Sequence, residues 1–217
     1  MAPIRVLLTV PHLSKTASPY REMIAIARYL PRESFSLTIC TLRDNGREQT
    51  GPELDKLGVP YFVARFRPTG RTLRHIWRSV KAQREIARHG HYDIQYSMDF
   101  TSSPFEAVFA RLGGRRFIRQ QRDLNENGHV QMLRIMLAFS DRIIAISESV
   151  DKFLQDFGVP SHKVEKIYCG LDFHEFDQQL SDTPNEAGDS AGSFLSVGHI
   201  VPRKRHEDAI RSLARVI

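Results

Sequence analysis

Arg5-Val-Leu-Leu-Thr-Val10 is closed by Pro11, and a helical pattern begins near Tyr20. The apolar side chains of this run follow one another instead of alternating with polar ones, as expected of a strand covered on both faces. Residues 11–19 then read as a loop, and Met23, Ile24, Ile26, Ala27 and Leu30 recur at helical spacing over residues 20–30. A buried strand, a loop and an amphipathic helix make the first half of a βαβ unit, so a parallel sheet flanked by helices is expected.

The alternation continues along the chain. Strands are expected over residues 35–42, 59–64, 93–97, 117–120, 142–146 and 164–168. Residues 43–50 read as a loop and 52–57 as a short helix stopped by Gly58. A long helix over 72–89 places Leu73, Ile76, Trp77, Val80 and Ala87 on one face. Helices over 104–112, closed by Gly113-Gly114, and over 130–139 follow. Ser147 caps a helix whose Val150, Phe153, Leu154 and Phe157 face inward until Gly158 ends it. Residues 181–193 are rich in Ser, Asp, Asn, Gly and Glu and read as a linker between a first domain, 1–180, and the start of a second at 194–217.

The chain has 217 residues, 41% hydrophobic and 26% charged, which suits a soluble protein with a sizeable core. Its net charge of +6 favours anionic partners, whether phosphates, acidic lipid surfaces or nucleic acid. Cys40 and Cys169 lack metal-ligand spacing and read as two reduced thiols. The first apolar run is too short for a signal-peptide core, and no run approaches the roughly 20 apolar residues of a membrane span. A cytoplasmic protein is therefore expected, with contact at the inner membrane face left open.

Doubly wound sheets bind ligands at the carboxyl ends of their strands. The first such loop, Pro11-His-Leu-Ser-Lys-Thr-Ala-Ser-Pro19, has neither a G-x-G-x-x-G nor a Walker A pattern, which argues against a dinucleotide or P-loop site. His12, Ser14, Lys15, Thr16 and Ser18 are candidates for contact with a polar ligand, against the plainer reading of an exposed loop. Arg119-Gln-Gln-Arg-Asp123 gathers long polar side chains at another strand end; Arg122 and Asp123 either line a site or pair with each other. Asp99 and Glu126 lie in similar loops.

Residues 65–88 carry Arg65, Arg67, Arg71, Arg74, Arg78, Lys81, Arg84 and Arg88 against the single acid Glu85. With Trp77 and Ile76 this helix fits anionic lipid headgroups. The plainer account, favoured here, is a solvated basic face whose apolar stripe packs on the sheet. Nucleic acid is a poorer partner, since no aromatic platform or known module accompanies the charges. No H-E-x-x-H, Cys/His cluster or D-x-D pair appears, so no metal site is expected. At the chain's end an apolar run enters Gly198, a basic loop and an amphipathic helix, an arrangement of N–H groups and cations that suits a phosphate-bearing ligand.

Three stretches, in order, resemble the retaining glycosyltransferases of family 4. Phe139-Ser-Asp-Arg-Ile-Ile-Ala-Ile-Ser-Glu-Ser149 is similar to the family's "aD.ii.vS" turn, and Val164-Glu-Lys-Ile-Tyr-Cys-Gly-Leu-Asp-Phe-His-Glu-Phe176 to its "kv.vi.nGvD...f" signature. Phe194-Leu-Ser-Val-Gly-His-Ile-Val-Pro-Arg-Lys-Arg-His206 is similar to "VGrl...KG". The resemblance implies the GT-B architecture: an α/β, Rossmann-like amino-terminal domain that receives the acceptor, here 1–180, and a second α/β domain that binds the nucleotide sugar, here truncated.

It also implies roles. Lys204 corresponds to the lysine that neutralises the donor diphosphate, with Arg203 assisting and His199 in place of the usual arginine. Arg122 and Asp123 fall where the family has a histidine and its neighbour near the reacting sugar, with His12 and Lys15 on the acceptor side. Gly170 is implied as a hinge, where glycine accepts a backbone that other residues resist. Arg205 stands where the family has glycine. No metal or cofactor is implied beyond the nucleotide sugar, and the acceptor is a glycan or lipid-linked hydroxyl; no catalytic residue is assigned. The expectation is a sugar transferase whose donor half is largely missing, inactive as this chain alone. The alternative is a non-catalytic acceptor-binding or partner subunit derived from such an enzyme.

Overall fold

The computed structural model describes residues 2–15, 19–43, 45–65, 73–98, 104–124, 130–170, 172–173, 177, 196, 198, 200 and 202–215. The chain divides into two compact units, Met1–Asp172 and Phe173–Ile217, a boundary somewhat earlier than the expected 180. The expected linker 181–193 lies outside the described residues.

In the first unit the strands are β1 (Ile4–Val10), β2 (Phe35–Thr41), β3 (Tyr61–Val63), β4 (Ile94–Ser97), β5 (Arg116–Gln121), β6 (Arg142–Ala145) and β7 (Val164–Lys166). The helices between them are α1 (Tyr20–Tyr29), α2 (Arg47–Lys56), α3 (Leu73–His89), α4 (Pro104–Leu112), α5 (Val130–Phe139) and α6 (Glu148–Asp156). All seven strands form one parallel sheet in the order β3-β2-β1-β4-β5-β6-β7. The order reverses between β1 and β4, which makes their carboxyl ends the topological switch point. The fold is the Rossmann-like α/β sheet expected from the sequence.

The register shows why β1 carries no polar alternation. Leu8 and Val10 pack with Met23, Ile24 and Ala27 of α1 and Leu54 of α2. Leu7 points the other way, into Cys40, Phe62 and the Ala82 and Ile86 side chains of α3. Farther along the sheet Phe117 and Ile143 meet Ala107 and Ala110 of α4, Leu133 and Met136 of α5, and Val150 and Leu154 of α6. Each such fully buried large side chain contributes roughly 1.5–3 kcal/mol relative to exposure. Ser147 caps α6 as expected, its Oγ accepting from the Val150 N–H at 3.3 Å. Cys40 is buried, Cys169 is exposed, and both are free thiols.

Two expectations need correction. Helix α2 begins at Arg47, not at Pro52, which lies inside it. Its first turn is held from outside the helix: the Gly46 carbonyl accepts from Gln49 and Thr50, and the Thr50 hydroxyl donates to the Leu13 carbonyl. Second, α3 does not bury Ile76 and Trp77. Its inward face is Ser79, Ala82 and Ile86, and Trp77 is 68% exposed. Gly170, implied as a hinge, has no positive φ here, and a Cβ there would meet nothing within 4 Å.

In the second unit a 3-10 turn, Pro202–Lys204, leads into α7 (His206–Leu213). Arg205, between them, has φ 53 and ψ 35, a left-handed backbone that costs a non-glycine residue roughly 1–2 kcal/mol. This is the position where the family resemblance has glycine. Arg205→Gly is expected to relieve that strain. Hydrogen exchange of the α7 amides should slow in the variant; faster exchange would mean that the Arg205–Asp208 ion pair outweighs the backbone cost.

Candidate functional site

The loop after β1 is stitched to the start of α2. The Leu13 N–H donates to the Asn45 carbonyl at 2.9 Å, and the Lys15 N–H to Gln49 Oε1 at 3.4 Å. His12 therefore stands at the end of β1, beside the switch point. Its Nδ1 is buried and makes no hydrogen bond. Burial, and then the positive charge of Arg43, lower the His12 pKa from its ordinary value, so the ring is neutral at pH 7. Lys15 is exposed, while Thr16 and Ser18 lie outside the described residues.

The second cluster gathers on the α1 face of the same sheet edge. Arg122, just past β5, donates to Glu22 Oε2 of α1 at 2.7 Å and to Gln120 Oε1 at 2.8 Å. The Arg122 and Glu22 side chains are 11% and 16% exposed, so their pairing is only lightly screened. Gln120 Nε2 donates to the other Glu22 oxygen, and the Cys169 thiol to Oε2 at 3.4 Å. The Tyr96 hydroxyl of β4 sits in the field of these groups; burial first, then Glu22, raise its pKa, while Arg122 lowers it. Burial and the Glu22 charge likewise push the Cys169 thiol up, so it is not an activated nucleophile.

Arg122 and Asp123 were expected to line a site or pair with one another. The geometry pairs Arg122 with Glu22, while the Asp123 carboxylate accepts from Gln121 Nε2 at 3.0 Å. Gln120 belongs to the strand-end cluster named from the sequence, whereas Glu22 and Tyr96 escaped that reading. An acid in a first helical turn carries no mark of its own, yet that turn faces the carboxyl edge in a doubly wound sheet. Asp99 and Glu126 lie outside the described residues.

In the second unit Lys204 is exposed at the end of its 3-10 turn. A Cβ on Gly198 would lie 3.7 Å from Lys204 Cδ and 3.4 Å from His206 Nε2, so the glycine and the lysine stem are neighbours. Ser196 Oγ holds His206 Nδ1 at 2.8 Å. Arg203 belongs to the same turn; its side chain, like the whole of His199, lies outside the described residues. Among the described residues no three His, Cys, Asp or Glu side chains gather as a metal site. A groove of about 250 Å³, lined by Arg134, Leu137, Phe157 and Lys163, lies at the helix ends next to the opposite, amino edge of the sheet.

The model of Glycosyltransferase Family 4 matches residues 22–175, most of the first unit. The chain belongs to that family. No curated protein matches it by sequence. Among solved structures, a glycosyltransferase from Rickettsia africae aligns with a TM-score of 0.63 at 18% identity, covering 85% of this chain and 47% of that one. HepE from Anabaena, solved with UDP and glucose, aligns at 0.59 and 16% identity, covering 82% and 50%. A UDP-GlcNAc 2-epimerase from Neisseria meningitidis bound to UDP-GlcNAc aligns at 0.58 and 13% identity, covering 83% and 50%. This family 4 chain thus spans about half the length of these neighbours, and the likeness is one of fold. Among its described residues no helix is long and apolar enough to cross a membrane.

Proposed function

We propose that this chain carries the acceptor-side domain of a retaining glycosyltransferase that moves a sugar from a nucleotide diphosphate donor to a hydroxyl of a glycan or lipid-linked acceptor. The family match over residues 22–175 carries the reading, and the polar groups at the carboxyl edge of its sheet support it. His12, neutral and with a buried Nδ1 that lacks a partner, suits hydrogen bonding to a sugar hydroxyl. Arg122, tied to Glu22, suits a fixed polar wall more than a free anion-binding cation. Lys204 would neutralise the diphosphate as it gains charge on leaving, the work a metal ion does elsewhere. A donor's base and sugar need contacts beyond one turn and one short helix. The 217-residue chain alone is therefore expected to transfer no sugar.

UDP titration followed by NMR tests the donor side, because it detects weak binding. The amides of Gly198, Lys204, Arg205 and His206 should shift with UDP and less with UMP. Lys204→Ala should weaken the response roughly tenfold or more, the worth of one charge-assisted contact. Amides that do not move, or a Lys204→Ala variant that binds as well as the parent, would remove the donor role. Glycan-induced shifts around His12 and Arg122 without any UDP response would favour the non-catalytic acceptor-binding subunit.

A further inference from the structure

The inward face of α3 is Ser79, Ala82 and Ile86, at 1%, 3% and 0% exposure. At 3.6 residues per turn, the opposite face carries Trp77, Lys81, Arg84 and Arg88, spaced by four, three and four residues. All four side chains are exposed, Trp77 by 68%, and Ile76 beside it by 40%. Glu85 is flanked by Arg88 at 3.1 Å and His89 at 3.4 Å, so its charge is already matched. The outer side of this helix is thus an indole and a neighbouring isoleucine set among cations.

We propose that this face of α3 docks on an anionic lipid bilayer, with Trp77 entering the headgroup boundary and Lys81 and Arg84 pairing with lipid phosphates. Indole rings favour that boundary, and each nearby Lys or Arg is attracted by the surface potential of acidic lipids. A nucleic-acid backbone would match the cations but leave Ile76 and the indole in water; a bilayer takes both. The helix that follows a parallel strand runs back from the sheet's carboxyl edge, so Trp77, in the second turn of α3, lies toward that edge. Docking there holds the edge that carries His12 and Arg122 near the lipid surface. Only this last link, a membrane-borne acceptor, rests on the transferase reading; the binding does not.

The chain has a single tryptophan, so its fluorescence reports this position alone. Vesicles of phosphatidylcholine with phosphatidylglycerol should shift its emission to the blue, and nitroxide-labelled lipids should quench it. Pure phosphatidylcholine should do neither. The Lys81→Glu/Arg84→Glu variant should partition at least roughly tenfold more weakly, with an unchanged far-UV circular dichroism spectrum because both side chains face solvent. Raising salt toward 1 M, where the screening length falls to about 3 Å, should release the parent chain. Unshifted emission with anionic vesicles overturns the proposal, as does a short RNA duplex that binds more tightly than the vesicles. Neither readout needs sugar transfer, so failure here is separate from failure of the transferase assignment.

Discussion

Glu106→Ala is expected to remove roughly 3–5 kcal/mol from the stability of the first unit, against a total of about 5–15 kcal/mol for a typical domain. Glu106 lies in the first turn of α4, 5% exposed, facing the central strands. It accepts from the Thr9 hydroxyl of β1, from Gln95 Nε2 at 3.0 Å and from Ser97 Oγ at 2.9 Å, both of β4. The Gln95 carbonyl oxygen in turn accepts from Arg115 Nε at 3.1 Å, and Arg115 also donates to Gln83 of α3. Burial lowers the Arg115 pKa while the Glu106 charge raises it, so the two ions, bridged by one amide, stabilise each other. Alanine would strand the donors and leave the buried guanidinium without its counter-charge. Glu106→Gln keeps the volume and one acceptor oxygen, so its loss should be about half as large. Urea unfolding followed by circular dichroism gives both values. An alanine variant within about 1 kcal/mol of the parent would mean that water or rearrangement satisfies these groups.

The same network explains where the sequence misled. Residues 104–112 and 130–139 were bounded correctly because Pro104, the Gly113-Gly114 stop and a dense apolar pattern mark them locally. Helix α3 turns inward a different face from the one its apolar periodicity marks. Ala82 and Ile86 meet the apolar Leu7, Cys40 and Phe62, while beside them Ser79 is buried and Gln83 accepts from Arg115, a polar packing that no spacing rule displays. Proline is favoured at the first position of a helix, so the sequence pattern places the start of α2 at Pro52. The preceding turn forms because the adjacent Gly46 carbonyl takes the Gln49 and Thr50 N–H groups, and the Leu13 carbonyl, distant in sequence, takes the Thr50 hydroxyl.

The candidate site divides the same way. His12 and Arg122 were legible because strand ends in a doubly wound sheet are predictable positions. The Arg122 partner was not, since Glu22 lies 100 residues away and only the fold brings them within 2.7 Å. The phosphate role of Lys204 rests on its motif alone, while the left-handed Arg205 beside it gives the family's glycine a backbone reason.

Gly46→Ala is expected to cost about 3 kcal/mol or more and to displace the loop that carries His12. Gly46 has φ 80 and ψ 9 just before α2, and a Cβ on it would lie 2.4 Å from Ser14 N, 2.5 Å from Ser14 Cα and 2.6 Å from the Leu13 carbonyl carbon. All three are backbone atoms, so no side-chain rotation clears the space. Two penalties combine: a left-handed residue with a side chain, roughly 1–2 kcal/mol, and an overpacked contact, roughly 1–3 kcal/mol. Gly158→Ala separates them, because Gly158 has φ 85 but nothing within 4 Å of the added carbon. It should lose only the backbone penalty. Moving Leu13 and Ser14 also strains the bonds to Asn45 and Gln49 that fix the loop. In Gly46→Ala the His12 imidazole should then regain water, and its pKa should rise toward the ordinary value. NMR titration of His12 reads that rise, and Gly158→Ala should leave it unmoved. Equal losses of stability in the two variants would show that the first βα loop yields freely, and that the Gly46 contact does not set the geometry of the sheet's carboxyl edge.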